Sequence, residues 1–150
     1  MSENSKIYLA SDHAGFKLKE IIKEYFIKGD QAFIDLGTTS EESCDYPDLA
    51  LNLCERLESE KEGIGILICG SGIGMSIAAN RYSHIRAALC INETMAKLAR
   101  EHNNANVLVL GARLIDEKSN IKCVETFINT AFEGGRHIER VNKLTNLRSK

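Results

Sequence analysis

Residues 64–74 read Ile64-Gly65-Ile66-Leu67-Ile68-Cys69-Gly70-Ser71-Gly72-Ile73-Gly74. The first six are apolar or small without alternation, the pattern of a strand covered on both faces. They pass straight into glycines at every second position, and Met75 to Asn80 then reads as a short helix. A doubly covered strand that turns through glycines into a helix is the repeating unit of a parallel α/β sheet. The same alternation recurs on either side. Ile7 to Ala10 reads as a strand, and Leu18, Ile21, Ile22, Tyr25 and Phe26 after it fall on one helical face. Ala32 to Leu36 is a second strand. A polar stretch, Gly37 to Asp45, leads to a helix that carries Leu49, Leu53 and Leu57, with Pro47 in its first turn, where a missing N–H costs nothing. Beyond the glycines, Ile85 to Ile91 is a strand and Asn92-Glu93-Thr94 caps a helix reaching His102. Val107 to Leu110 is the last strand. Asp116 opens a helix through Phe132, and after Gly134-Gly135 a final helix carries Ile138, Val141 and Leu144. The pattern predicts an α/β protein: a three-layer α/β/α, Rossmann-like fold with a five-stranded parallel sheet and an extra C-terminal helix, in one domain over 1–150.

Composition narrows the function. At 150 residues, 43% hydrophobic and 27% charged, the chain can build a full core without staples. With 21 acidic against 19 basic residues its net charge is −2, which argues against a dedicated nucleic-acid binder. No apolar run approaches the roughly 18 residues of a membrane span, and the first residues lack the design of a secretory signal. A soluble, cytoplasmic protein is expected, with no membrane partner. The five cysteines, Cys44, Cys54, Cys69, Cys90 and Cys123, are odd in number and form no C-x-x-C pair. That count speaks against both a disulfide framework and a cysteine-based zinc site.

Ligands of such sheets bind beyond the carboxyl ends of the strands. The residues there are Ser11 to Gly15, Gly37 to Tyr46, Cys69 to Gly74, Asn92-Glu93 and Gly111 to Arg113. Gly70, Gly72 and Gly74 present backbone N–H groups at the start of a helix, where an anion is favoured. No Lys-Ser/Thr follows, so the loop is not a P-loop; its G-x-G-x-G spacing after the third strand is not a dinucleotide fingerprint. Glu93 keeps a weak nicotinamide reading alive, and a plain tight turn is the bland alternative. Cys69 abuts the loop, where a helix terminus favours a thiolate. Buried filler is the ordinary role of a free cysteine and covers the other four. Asp12 is either a helix N-cap or a ligand-binding acid, and His13 sits in an exposed loop position. A metal site of Asp12, His13 and Asp45 is the weakest alternative, since no spacing fixes it. His102 and Asn103 end a helix of about 10 residues, which at 1.5 Å per residue carries them about 15 Å from the ligand edge. Within one chain His102 should not reach Cys69, so it either caps its helix or serves a neighbouring subunit. The segment Arg136 to Lys150 has five Lys/Arg and one acid, so +4, while the other 135 residues sum to −6. Arg136, Arg140 and Lys143 share a helical face: a solvated basic surface, or a phosphate site, for which arginine is well suited.

Ser11-Asp-His-Ala-Gly15, Asp45-Tyr-Pro-Asp48, Cys69-Gly-Ser-Gly-Ile-Gly74 with Ala78-Ala-Asn80, Glu101-His-Asn-Asn-Ala-Asn106, Gly111-Ala-Arg113 and Arg136-His137 with Arg140 occur in this order. Together they resemble the ribose-5-phosphate isomerase B family, which also contains galactose-6-phosphate isomerase subunits. The resemblance spans essentially the whole chain. It implies metal-free, cofactor-free interconversion of ribose 5-phosphate and ribulose 5-phosphate through an enediolate, in the pentose phosphate pathway. It gives Cys69 the role of base, Met75 standing where some members carry a glutamate. It gives His102 sugar-ring opening, and makes Asp12, His13 and Asn103 substrate contacts. Gly70, Ser71, Gly72, Ile73 and Gly74 match the loop that holds the enediolate, and Arg113, Arg136 and Arg140 the arginines that bind substrate and clamp phosphate. The implied partners are a small sugar phosphate and a second copy, in a homodimer with shared sites or a tetramer of two such dimers. A 6-phosphate hexose (galactose or allose) as substrate, or a phosphosugar-binding module without turnover, are the alternatives.

Overall fold

A computed structural model describes residues 5–147. Its strands are β1 (Ile7–Ser11), β2 (Ile34–Asp35), β3 (Ile64–Cys69), β4 (Ala87–Leu89) and β5 (Val107–Gly111). Its helices are α1 (Phe16–Lys28), α2 (Tyr46–Ser59), α3 (Ile73–Ala79), α4 (Glu93–Asn103), α5 (Glu117–Asn129) and α6 (Ile138–Thr145), the last preceded by a 3₁₀ turn at Gly135–His137. All strand pairs are parallel, in the order β2-β1-β3-β5-β4. The predicted architecture is therefore present, and the structure adds the order. After β3 the chain skips one place to make β4 and returns with β5 into the gap. The carboxyl ends of β1, β3 and β5 thus lie side by side, Ser11 beside Ile68 and Cys69 beside Gly111.

The unbroken apolar character of the central strands has a direct cause: each feeds two cores. Ile7, Leu9, Ile64, Ile66, Ile68, Leu108 and Leu110 face a core shared with α1, α4 and α5. Tyr8, Ala10, Leu67, Cys69, Val107 and Val109 face a second core, shared with α2 and α3. α6 buries only Val141 of its own residues.

Boundaries differ from the sequence expectation where strands reach the sheet edges. β2 pairs over two residues rather than five, and β4 over three rather than seven, because each has a single neighbour. α3 starts two residues early, at Ile73, and α5 stops at Asn129, short of Phe132. Thr130 is extended, and its carbonyl accepts from Arg100 Nε at 3.1 Å. The Asn92 and Asp116 caps form as read: Asn92 Oδ1 accepts from the N–H of Met95, and Asp116 Oδ2 from that of Ser119. Among the described residues no helix is long and apolar enough to cross a membrane.

One buried charge fastens the edge. Lys19 on α1 is fully buried, and its Nζ donates to both Asp35 oxygens at 2.7 Å. Lys23 lies 2.8 Å from the same carboxylate, and the Gly37 N–H donates to it at 2.9 Å. Asp35 so ties β2 and the start of the 37–45 loop to α1.

Candidate active site

Three loops meet where β1, β3 and β5 end, and their backbones are cross-linked. The Asp12 N–H donates to the Ile68 carbonyl, Ala112 N–H to that of Cys69, and Arg113 N–H to that of Gly70, at 3.2, 2.9 and 2.9 Å. Cys69 is 5% exposed and points toward the α2–α3 layer. The Gly72 N–H donates to its Sγ at 3.2 Å. That turn needs glycine: Gly72 has φ +79°, and a Cβ there would run into the Leu89 side chain and lie 3.2 Å from the Leu110 carbonyl carbon. The Ile73 N–H turns back onto Ser71 Oγ at 3.2 Å. Of the three glycine N–H groups expected to be open to an anion, that of Gly72 is thus aimed at Cys69 instead. The Tyr46 ring lies over Gly74, where an added Cβ would come within 2.5 Å of it.

Asp12 is buried, and its Oδ1 accepts from the Gly15 N–H at 3.1 Å, so it does brace the entry to α1. His13 Nδ1 lies 3.2 Å from both the N–H and the carbonyl oxygen of Cys44, which anchors the 37–45 loop beside it. His13 and Arg113 line one cleft of about 350 Å³, together with Lys17, Glu41 and Asn120. Burial pushes the thiols of Cys54 and Cys90 up to about 12 and that of Cys123 to about 11, as filler cysteines should be.

The other predicted site residues form a separate group. α4 starts at the carboxyl edge and ends where β5 begins, so His102 and Asn103 lie at the amino edge of the sheet. Asn103 there shares a groove with Ile85, Arg86 and Leu144. His102 stacks on His137, ring centroids 4.3 Å apart and planes 17° from parallel. Arg136 and Arg140 extend into solvent from the adjoining turn and helix, joined by a 3.3 Å bond from Arg140 Nη1 to the Arg136 carbonyl. Lys143 pairs with Glu139 at 3.6 Å, while the basic residues Arg148 and Lys150 lie outside the described residues. One chain therefore assembles Asp12, His13, Cys69, Gly70 to Gly74 and Arg113 at one edge. It keeps His102, Asn103, Arg136 and Arg140 at the other.

The family model described as Ribose/Galactose Isomerase matches residues 7–144. The chain belongs to that family. It is 39% identical to ribose-5-phosphate isomerase B of Escherichia coli, over 93% of this chain and 94% of that one. A crystal structure of a ribose 5-phosphate isomerase from Thermotoga maritima superposes with a TM-score of 0.92 at 51% identity, covering 97% of this chain and all of the other. The Mycoplasma genitalium ribose-5-phosphate isomerase B, solved with bound ribulose-5-phosphate, gives 0.90 at 41% identity and covers 95% of each chain.

Membership in the ribose/galactose isomerase family leaves the weaker sequence readings without support. Glu93 accepts from the Thr126 hydroxyl at 3.3 Å, a helix-to-helix bond rather than a ribose contact. Asp12, His13 and Asp45 do not gather as metal donors; among the described residues it is His102, Glu133 and His137 whose donor atoms converge, within 4.8 Å. Glu133 and the part played by His137 escaped the sequence reading, because 31 to 35 residues separate them from His102. The Arg136-His137 motif was the one available signal.

Proposed function

We propose that this chain is a type B ribose-5-phosphate isomerase, a single-domain cytoplasmic enzyme of the pentose phosphate pathway that works as a homodimer. The observation that carries the reading is the thiol of Cys69, held at the end of β3 under a glycine turn whose Gly72 N–H points at its sulfur. An N–H so placed meets the negative charge left when the thiol gives up its proton.

The substrate is the open-chain aldose, and His102 of a second copy moves the proton that ring opening requires. Cys69 then removes the proton from C2, giving a C1=C2 enediolate with its charge on O1. That proton returns to C1 while the O2 hydroxyl proton passes to O1, leaving a ketone at C2. The Ser71 hydroxyl, whose oxygen the Ile73 N–H holds in place, donates to the developing oxyanion; one such donor is typically worth about 3 kcal/mol. Asp12 and Asn103 contact the sugar hydroxyls. His13 and Arg113, with Arg136 and Arg140 from the second copy, hold the phosphate and fix orientation without joining the bond changes. No step calls for a metal or an organic cofactor.

The test is conversion of ribose 5-phosphate to ribulose 5-phosphate in EDTA, by wild type and Cys69→Ala, with allose and galactose 6-phosphates in parallel. Wild type should turn over the pentose, and the variant should lose about 10²- to 10⁴-fold in kcat, the usual worth of a positioned base. Turnover of hexose phosphates alone would move the substrate assignment to them. Binding without turnover would make the protein a phosphosugar sensor.

A further inference from the structure

We propose that His137 is a positioning residue for His102: it holds the His102 imidazole in one plane by face-to-face stacking and shares with it the carboxylate of Glu133. The proposal rests on the role given above to His102 in ring opening.

Four observations carry it. The two rings lie 4.3 Å apart and 17° from parallel, so His102 has an aromatic wall along one face. His137 is the buried member, its side chain 9% exposed against 34% for His102. Its Nε2 is fully buried and hydrogen-bonded to nothing, yet lies 3.4 Å from Glu133 Oε2. The same carboxylate oxygen is 3.9 Å from His102 Nε2, so both imidazoles turn the same nitrogen toward one acid. A buried imidazole nitrogen left unpaired costs free energy, which packing against His102 and Glu133 must offset.

The backbone makes the arrangement rigid. The Glu133 N–H donates to the Glu101 carbonyl at 3.1 Å, pinning the segment before the 3₁₀ turn to the last turn of α4. One residue along α4, Arg100 donates to the carbonyls of Thr130 and Ala105, and its guanidinium lies 5.5 Å from the Phe127 ring centre. His102 and His137 are therefore set by two elements tied together at both ends of the 130–133 segment. A proton-transfer imidazole that must serve another copy's site gains from such fixing, because small misplacements are costly in rate.

The same three side chains do not make a metal centre as they stand. Imidazole lone pairs lie in the ring plane, and two rings 17° from parallel and 4.3 Å apart do not aim at one ion. A tetrahedral zinc needs its donors to converge at about 2.0–2.1 Å. The geometry is that of a stack.

The test compares His137→Leu with His137→Phe, which keeps an aromatic face. Each is read in two assays, ribose 5-phosphate turnover and deuterium uptake from D₂O at C1 of ribulose 5-phosphate. Ribulose 5-phosphate has no free hydroxyl at C5 to close a furanose, so the uptake needs the Cys69 step and not the ring step. His137→Leu should lower turnover about 10- to 100-fold and leave deuterium uptake at the wild-type rate. His137→Phe should recover most of the loss, and the ¹⁵N signals of His102 should move in the leucine variant and stay near their wild-type positions in the phenylalanine one. Glu133→Gln, at a half-exposed position, should lower turnover and spare uptake in the same way. Equal loss in both assays, unchanged turnover, or a phenylalanine variant no better than leucine would overturn the proposal. Full turnover in His102→Gln would overturn it from the other side, by removing the role of His102 while leaving the isomerase itself standing.

Discussion

At Gly72 the chemistry and the backbone make the same demand. The residue must adopt φ +79° to swing its N–H onto Cys69 Sγ, and it must lack a side chain because Leu89 and the end of β5 lie where a Cβ would go. Gly72→Ala should therefore cost more than the roughly 1–2 kcal/mol of a left-handed L-residue, since the clash adds to it. Thermal unfolding should record the lowered stability, and the kcat of ribose 5-phosphate turnover should fall as the N–H leaves the sulfur. An alanine variant with wild-type stability and kcat would sever the link between the turn and the proposed base, Cys69. Gly74 is a milder case. Its obstacle is the ring of Tyr46, a partly exposed side chain that can swing aside. The sequence marked both glycines equally, as members of one G-x-G-x-G run; only the neighbours tell them apart.

Beyond the two apolar cores, a few buried polar groups tie particular elements together, and the Lys19–Asp35 pair fastens the edge strand β2 to α1. Burial pushes the Asp35 carboxyl up, but the hydrogen bonds from Lys19, Lys23 and the Gly37 N–H outweigh it and hold the group below the ordinary carboxylate range. A carboxyl lowered on folding stabilises the protein above its unfolded value of about 3.9, and that contribution is lost as pH falls through the folded value. Asp35→Asn leaves the fully buried Lys19 ammonium with only the more exposed Glu20 carboxylate, 3.3 Å away, so at pH 7 it should cost about 2 kcal/mol, less than the loss of a sole buried partner. Urea unfolding of both proteins across pH should show the gap constant near neutrality and narrowing below about pH 4. A gap independent of pH would mean that the carboxylate charge is not what fastens β2. This pair was invisible in the sequence, where Lys19 and Asp35 are ordinary charges 16 residues apart on a helix and a strand. What was legible was periodic: five strands, six helices and the caps at Asn92 and Asp116. The order β2-β1-β3-β5-β4 was not, because a crossover that skips a place leaves no mark in local hydropathy. Edge strands were overcalled for a related reason: an apolar run such as 85–91 records burial, whereas pairing stops where the single neighbour ends.

For the whole molecule, the decisive relation was readable from helix length alone. A helix that leaves the carboxyl edge and spans the sheet must put His102 at the far side from Cys69, and the fold does so. Completing the site within one chain would require the sheet to be crossed, whereas the proposed two-fold dimer would solve it twice over, each copy lending its α4 end and its Arg136–Arg140 surface to the other's Cys69 loop. The exposed Ile73 and Ile77, one turn apart on α3 next to that loop, are apolar surface such an interface would cover. The arrangement has an arithmetic consequence. Cys69→Ala and His102→Ala homodimers should each be severely impaired, one lacking the proposed base and the other the proposed ring-opening group in every site. In a heterodimer of the two, one site combines both lesions and the other combines neither. After full exchange of an equal mixture half the dimers are hybrid, so about one quarter of all sites are intact and about one quarter of wild-type turnover should return. Native mass spectrometry can verify exchange in the assayed sample. Absence of recovered activity in a verified hybrid would mean that Cys69 and His102 act within one chain. The strands between them would then have to be traversed by a rearrangement of α4, which the Arg100 and Glu133 ties to its last turn oppose.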